Sequence, residues 1–362
     1  MIDYIEIENY KSIRKMHLEM KPINILIGSN GVGKSNFISF FRFLRNIYEQ
    51  NLKNYTAEEG GTEDLLYFGS KTSGFLGGNI VFIIDDMLKN GYSFRLKPNK
   101  DERFFFEIDV ATFFDKNCPV NPTKSLIGSG YLESQLKDSR FGIPSDVKNY
   151  MESFQIFHFH DTSQSSKMRK SVNIADNSFL REDASNLSAF LYYLQEKHPK
   201  ILKKIETVLR SVAPYFGCFN LSPDRINEDM IRLEWKEKGS DMYFNAKHLS
   251  DGTLRFIALA TLLLQPNTPE VIIIDEPELG LHPFAISKLA GLIKKTSIKT
   301  QIIVSTQSVN LVDNFEPEDI ITVDRKDDQS VFSRQNSEEL KEWLNEYSLS
   351  DLWNKNVIGG RP

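Results

Sequence analysis

The stretch Gly28-Ser29-Asn30-Gly31-Val32-Gly33-Lys34-Ser35 constrains this chain more than any other feature of it. It satisfies the pattern G-x-x-x-x-G-K-[ST] at every fixed position. The apolar run Ile23–Ile27 before it reads as a buried strand, and Phe37, Phe40, Phe41 and Leu44 after it recur with a helical period. In that context successive backbone N–H groups and a helix N-terminus cradle an anion. The pattern predicts a nucleoside-triphosphate site, with Lys34 reaching the β- and γ-phosphates and the Ser35 hydroxyl ligating Mg²⁺. Asn30, Gly31, Gly33 and Asn36 join them as candidate nucleotide contacts.

At 362 residues the chain has room for one large or two ordinary domains. Its 40% hydrophobic content, with 26 Phe, supports a sizeable core and excludes wholesale disorder. Cys118 and Cys218 are the only cysteines, and no CxxC occurs, which argues against a disulfide framework or a cysteine zinc site and suits a reducing, cytoplasmic setting. Met1–Glu6 carries no secretory signal, and the longest largely apolar run, Phe256–Leu264, is far too short for a membrane span. A net charge of −5 advertises no basic field for nucleic acid, so DNA contact would need a local patch.

Along the chain, Ile2, Ile5 and Ile7 set against Asp3, Glu6 and Glu8 predict a first strand. A strand pair is expected around Ile80–Ile84 and Arg103–Ile108, with Asn90-Gly91 as its turn. Residues 112–150, with Pro119, Pro122 and Pro144, read as an irregular surface region. Residues 184–213 read as helix, capped by Ser185 or Asn186, and the lysines between 197 and 204 as its solvated face. No heptad pattern, repeat or low-complexity segment is present.

Val271-Ile272-Ile273-Ile274-Asp275-Glu276-Pro277 is a buried strand ending in adjacent carboxylates. In a parallel sheet such strands are apolar on both faces and function collects at their C-terminal ends. Asp275 is placed for the Mg²⁺ shell and Glu276 to polarise an attacking water. Upstream, Ser250 is a good N-cap, and the amides at Asp251 and Gly252 would bind an anion. Downstream, Gln301–Ser308 is a further buried strand with a polar end.

Glycine loop, Ser-x-Gly helix start, aliphatic-Asp-Glu-Pro and strand-Ser-Thr-x-Ser, in this order, resemble the ABC-type ATPase heads of the SMC, RecF and OLD-like group. The resemblance is closest to stand-alone AAA family ATPases, some of which serve in Septu- and retron-type anti-phage systems. Asn9-Tyr10-Lys11-Ser12 and Glu276-Pro277-Glu278-Leu279-Gly280-Leu281-His282-Pro283 belong to it, as does the tail from Trp343 to Pro362. The resemblance implies an α/β P-loop NTPase: a head with a mixed central sheet, an N-terminal antiparallel β-subdomain and a helical insertion. It implies a lobe over 1–110, an insertion over 111–235, a second lobe over 236–325 and a tail over 326–362. It also implies that Lys11 and Ser12 touch the nucleotide, and that Ser250, Asp251 and Gly252 contact the γ-phosphate of a second copy in trans. ATP and Mg²⁺ are the implied cofactors, and Gln307 stands at the switch position, where transporters have histidine. Glutamine can hydrogen-bond a phosphate but carries neither charge nor proton. Gln155 or Gln164 would be the Mg²⁺-reaching glutamine.

The expected function is an ATPase that dimerises around ATP and controls a separate effector, a nuclease, in phage defence. A RecF-like DNA clamp and a non-hydrolysing ATP-gated scaffold are the alternatives. His158 and His160 share one face of an extended segment that a metal could use, but no third ligand stands out. The carboxylates Asp324, Asp327 and Asp328 read as a solvated hairpin, since an appended nuclease domain needs on the order of a hundred residues.

Overall fold

The computed structural model describes residues 1–117 and 122–361; Cys118, Pro119 and Pro362 lie outside them. A hairpin of β1 (Ile2–Tyr10) and β2 (Ile13–Glu19) leads to β3 (Ile23–Ile27), every residue of which is buried. After the glycine loop come α1 (Lys34–Tyr48), α2 (Leu52–Glu58) and α3 (Thr62–Leu65). A meander follows: β4 (Leu76–Ile83), β5 (Leu88–Pro98), β6 (Phe104–Asp115) and β7 (Thr123–Gly128). Then come α4 (Ile143–Glu152), β8 (Phe154–Phe157), β9 (Val172–Asn173), α5 (Leu187–Lys197) and α6 (Pro199–Val212). Short strands β10 (Phe216–Phe219), β11 (Met230–Ile231), β12 (Glu234–Glu237) and β13 (Tyr243–Asn245) precede α7 (Asp251–Leu264). The chain continues through β14 (Val271–Asp275), α8 (Pro283–Thr296), β15 (Gln301–Thr306) and α9 (Val309–Val312). It closes with the hairpin β16 (Ile320–Lys326)–β17 (Gln329–Arg334), α10 (Ser337–Leu344) and α11 (Leu349–Asn354).

Two six-stranded sheets organise these elements. The central one runs β17-β16-β3-β15-β14-β8, with β16, β3, β15, β14 and β8 parallel and β17 antiparallel. Its middle strands β3, β14 and β15 are largely aliphatic and buried because layers cover both faces, with Asn24, Gln301, Ser305 and Thr306 as buried polar exceptions. The second sheet, β2-β1-β4-β5-β6-β7, is wholly antiparallel. This is the mixed sheet with an antiparallel β-subdomain that the sequence led us to expect.

Helix α1 lies between the sheets, and this explains its four phenylalanines. Phe37, Phe40, Phe41, Phe43 and Leu44 are all fully buried, so the helix is apolar nearly all round rather than along one stripe. Each buried phenylalanine contributes about 1.5–3 kcal/mol from surface removed from water. In β1 the register slips between Ile2 and Tyr4, so Ile2 and Ile5, three apart, both face the core.

Four local expectations need correction. Asn90-Gly91 lies inside β5, paired with Phe113 and Thr112, and the turns fall on either side of that strand. A glycine without a side chain leaves room there for the ring of Phe114. The 112–150 region is not irregular: it completes β6 and holds β7 and α4, where Pro144 occupies the first turn, a position that needs no N–H. The helical stretch breaks into α5 and α6 at His198, because Pro199 disfavours helical geometry in the residue before it. The expected cap is altered too. Asn186 flanks α5, but its side chain accepts from the Arg181 N–H and donates to the Asp176 and Phe179 carbonyls. The β16–β17 hairpin matches its reading: Asp327 and Asp328 form a two-residue turn, both with left-handed φ.

Candidate functional site

Parallel strands deliver their C-terminal ends to one edge, and the site forms there. β3, β14 and β15 end at Ile27, Asp275 and Thr306, and their register places Thr306 beside Ile27 and Ser305 beside Asp275. The glycine loop leaves β3 and turns into α1, whose first residues are Lys34 and Ser35. Gly33 adopts φ 116°, and a methyl group there would overlap the Ser330 hydroxyl and sit 2.9 Å from that of Ser12. The backbone can thread this gap only as glycine.

Lys34 is 5% exposed, and its ammonium donates to the carbonyl oxygens of Gly28 and Ser29, the latter at 2.8 Å. Burial pushes its amine down, while Glu276, Asp275 and Glu278 nearby pull it back up. A buried cation held by its own loop's carbonyls at the N-terminal end of α1 is suited to receive a polyanion. Ser35 is exposed on the first turn of α1, and Asp275 is half-buried at the strand end.

Glu276 sits at φ 44°, a strained conformation for a non-glycine residue. Its N–H donates to the Ser305 carbonyl at 2.8 Å. The Gln307 amide donates to Glu276 Oε1 at 2.7 Å and to Asn30 Oδ1 at 2.8 Å. One amide group therefore ties the end of β15 to both the glycine loop and the carboxylate. Lys11, at φ 47° in the β1–β2 turn, pairs with Glu59 at 2.7 Å. Ser12 shares a hydrogen bond with Ser330 at 2.6 Å and accepts one from Asn36 at 2.7 Å.

Ser250 caps α7 as expected, accepting from the Thr253 N–H at 3.1 Å. Asp251 accepts from the buried Arg169 guanidinium at 2.7 Å, which also donates to the carbonyls of Thr162, Ala246 and Leu249. Gly252 abuts the Gly280 carbonyl so closely that a methyl group would overlap it. Arg255 donates from the same helix to the carbonyls of Leu279, Phe159 and His160. Thus Ser250, Asp251 and Gly252 form a second cluster, joined to the first through the 276–281 loop. Among the described residues no hydrogen bond links it to the glycine loop.

Gln155 and Gln164 are told apart by position. Gln155 lies inside β8 opposite Ile272, below the level of Asp275, and lines a cavity with Arg42, Arg45 and Glu49. Gln164 is exposed in the segment that follows the C-terminal end of β8. His158 and His160 have a structural setting: the His158 N–H donates to Glu182, and the His160 carbonyl accepts from Arg255. No group of three or more His, Cys, Asp or Glu that could hold a metal occurs among the described residues.

Sequence reasoning missed four contributors. Ser330 donates to the Val32 carbonyl at 2.6 Å from a hairpin far along the chain, and nothing in the sequence marks it. Arg169 was likewise unmarked. Arg255 was visible as a lone cation within the apolar run of α7. Glu278 follows Asp-Glu-Pro directly; it is 8% exposed, and burial pushes its carboxyl up.

Known proteins resemble this chain in sequence and fold. The family described as "AAA domain, putative AbiEii toxin, Type IV TA system" matches residues 23–313. Septu protein PtuA of Bacillus thuringiensis is 24% identical over 281 residues, 71% of this chain and 69% of that protein. The energy-coupling factor transporter ATP-binding protein EcfA of Methanocaldococcus jannaschii is 37% identical over 110 residues. That match spans 29% of this chain and only 38% of EcfA. Among solved structures, an SMC head bound to the C-winged helix domain of ScpA superposes with a TM-score of 0.62 at 18% identity, over 94% of this chain and 99% of that one. An Smc head with an extended coiled coil, bound to the C-terminal domain of ScpA derived from Pyrococcus furiosus, gives 0.58 at 16%, over 95% and 98%. The fold is that of an ABC-type P-loop ATPase head. No helix among the described residues is long and apolar enough to cross a membrane.

Proposed function

The chain belongs to this AAA-domain ATPase family, and on that footing we propose that it binds and slowly hydrolyses ATP, closing two copies head to head around the nucleotide. The observation that carries the reading is the meeting of Lys34, Asp275, Glu276 and Gln307 where β3, β14 and β15 end. In this reading the loop amides and Lys34 bind the β- and γ-phosphates, while Lys11 and Ser12 flank the nucleotide. Ser35 and Asp275 hold Mg²⁺, with Gln164 as the glutamine nearest that role. Bound there, Mg²⁺ would supply neutralisation of charge on the phosphates. Glu276 accepts a proton from the attacking water, and Gln307 holds Glu276 in place. Among the described residues Ser250, Asp251 and Gly252 make no hydrogen bond to the glycine loop of their own chain, which supports their acting on a second copy's nucleotide.

The cycle would control a separately encoded effector, a nuclease, in phage defence. The similarity to a protein named for the Septu system supports this. A second reading, an ATP-gated scaffold without turnover, draws on Gln307 at the switch position.

Mixing folded Lys34→Ala and Ser250→Arg chains tests the composite site. Each variant alone should be inactive, and the mixture should recover at most one working site per dimer. Full activity of Ser250→Arg alone excludes the trans arrangement, and wild-type chains that bind ATP without turnover favour the scaffold.

A further inference from the structure

We propose that Glu278 is a positioning residue for hydrolysis: one of its carboxyl oxygens fixes the end of β15 so that Gln307 spans Asn30 and Glu276. The inference rests on the hydrolytic reading above.

Glu278 lies two residues past Glu276, and its side chain is buried. Its Oε1 accepts from both the Thr306 hydroxyl and the Gln307 N–H, the latter at 3.2 Å. Thr306 Oγ1 in turn accepts from the Ser308 N–H at 2.9 Å. A single oxygen therefore organises the backbone where β15 gives way to α9. From that fixed backbone Gln307 reaches Glu276 at 2.7 Å and Asn30 at 2.8 Å.

The other side of the loop is held as well. Leu279 accepts from Arg255, and Gly280 packs on Gly252. Segment 276–281 is thus clamped between α7 and the end of β15, and Glu278 is the clamp on the catalytic side. Its Oε2 is shielded and without a partner, so the clamp works through one acceptor atom. A glutamine side chain offers the same acceptor, whereas methionine has the length without the oxygen.

The test is steady-state ATPase and equilibrium ATP binding on Glu278→Gln, Glu278→Met, Gln307→Ala and the Glu278→Met/Gln307→Ala double variant. Glu278→Gln should stay within about threefold of wild-type kcat, and Glu278→Met should lose roughly 10–100-fold, the scale that a misplaced catalytic group costs. ATP affinity and KM should move by less than about threefold in both, since positioning for the chemical step differs from uniform binding. In the Gln307→Ala background Glu278→Met should cost less than about threefold more, because coupled residues are non-additive. If Glu278→Met fails to fold, Thr306→Val removes the hydroxyl donor and should lower kcat by about tenfold. A folded Glu278→Met chain with wild-type kcat overturns the proposal. So does Glu278→Gln as impaired as Glu278→Met, or full additivity with Gln307→Ala. A wild-type chain that binds ATP without turnover sinks the hydrolytic reading itself, and this proposal with it.

Discussion

Replacing Gly252 by alanine asks whether α7 and the 276–281 loop touch as closely as the structure shows. Alanine normally stabilises a helix relative to glycine, by about 0.8–1 kcal/mol. Here the new methyl would overlap the Gly280 carbonyl oxygen and lie 3.3 Å from its carbon. Neither partner is the free end of a flexible side chain, and Arg255 and Glu278 hold the loop from both directions. Overpacking of this kind costs typically 1–3 kcal/mol, so the net effect should be a loss of about 0–2 kcal/mol. Gly291, in the middle of α8, is the internal control: nothing lies within 4 Å of its added methyl. Gly291→Ala should gain close to 1 kcal/mol. Urea unfolding of the nucleotide-free chain reads both: the Gly291→Ala midpoint should rise and the Gly252→Ala midpoint should hold or fall. If Gly252→Ala raises the midpoint as much as Gly291→Ala does, the close approach is refuted. The proposed coupling of α7 to the 276–281 loop falls with it.

Lys34→Ala should abolish ATP binding, since it removes the cation built into the cradle; wild-type affinity for labelled ATP would remove the site from this loop. Glu276→Gln should bind ATP normally and lose about 10²–10⁴-fold in turnover, the range of a general base. A loss below about tenfold would place the base elsewhere. Arg169→Met should leave ATP affinity of the single chain unchanged while weakening ATP-dependent association, because its guanidinium holds the Asp251 end of α7 from within; light scattering of the Glu276→Gln background with ATP and Mg²⁺ reads this, and undiminished association would assign Arg169 to stability alone.

How far the sequence foretold this site depends on how far apart its parts lie. The glycine loop, Asp275-Glu276 and the Ser250 cap were legible because each is a local pattern whose meaning is set by neighbouring residues. The parallel strands β3, β14 and β15 were legible because burial on both faces leaves largely aliphatic runs, whereas β8 and β16, which are parallel as well, were not read as strands. Asn90-Gly91 misled because its pairing with Thr112 and Phe113 overrode a local turn preference. Ser330 and Arg169 were invisible because their roles come from contacts across long separations, and a serine in a hairpin or an arginine after a loop has no periodicity to betray it. Arg255 stood in plain sight as a break in an apolar helix, a break that asks for buried acceptors.

The hydroxyl bridge over the glycine loop has a consequence for how the protein is made. Val32 and the Ser330 that donates to it are 298 positions apart, and Phe37 meets the ring of Phe332 at 5.5 Å. A ribosome adding roughly 5–20 residues per second needs about 15–60 s to cover that distance. Throughout this interval the Val32 carbonyl and the ring of Phe37 lack the partners that the hairpin supplies, although Tyr10 and Phe94, which cover Phe40 and Phe43, are already made. The nascent chain therefore carries an unfinished pocket beside Phe37, and the β16–β17 hairpin, when it emerges, sets the moment at which that side of the site closes.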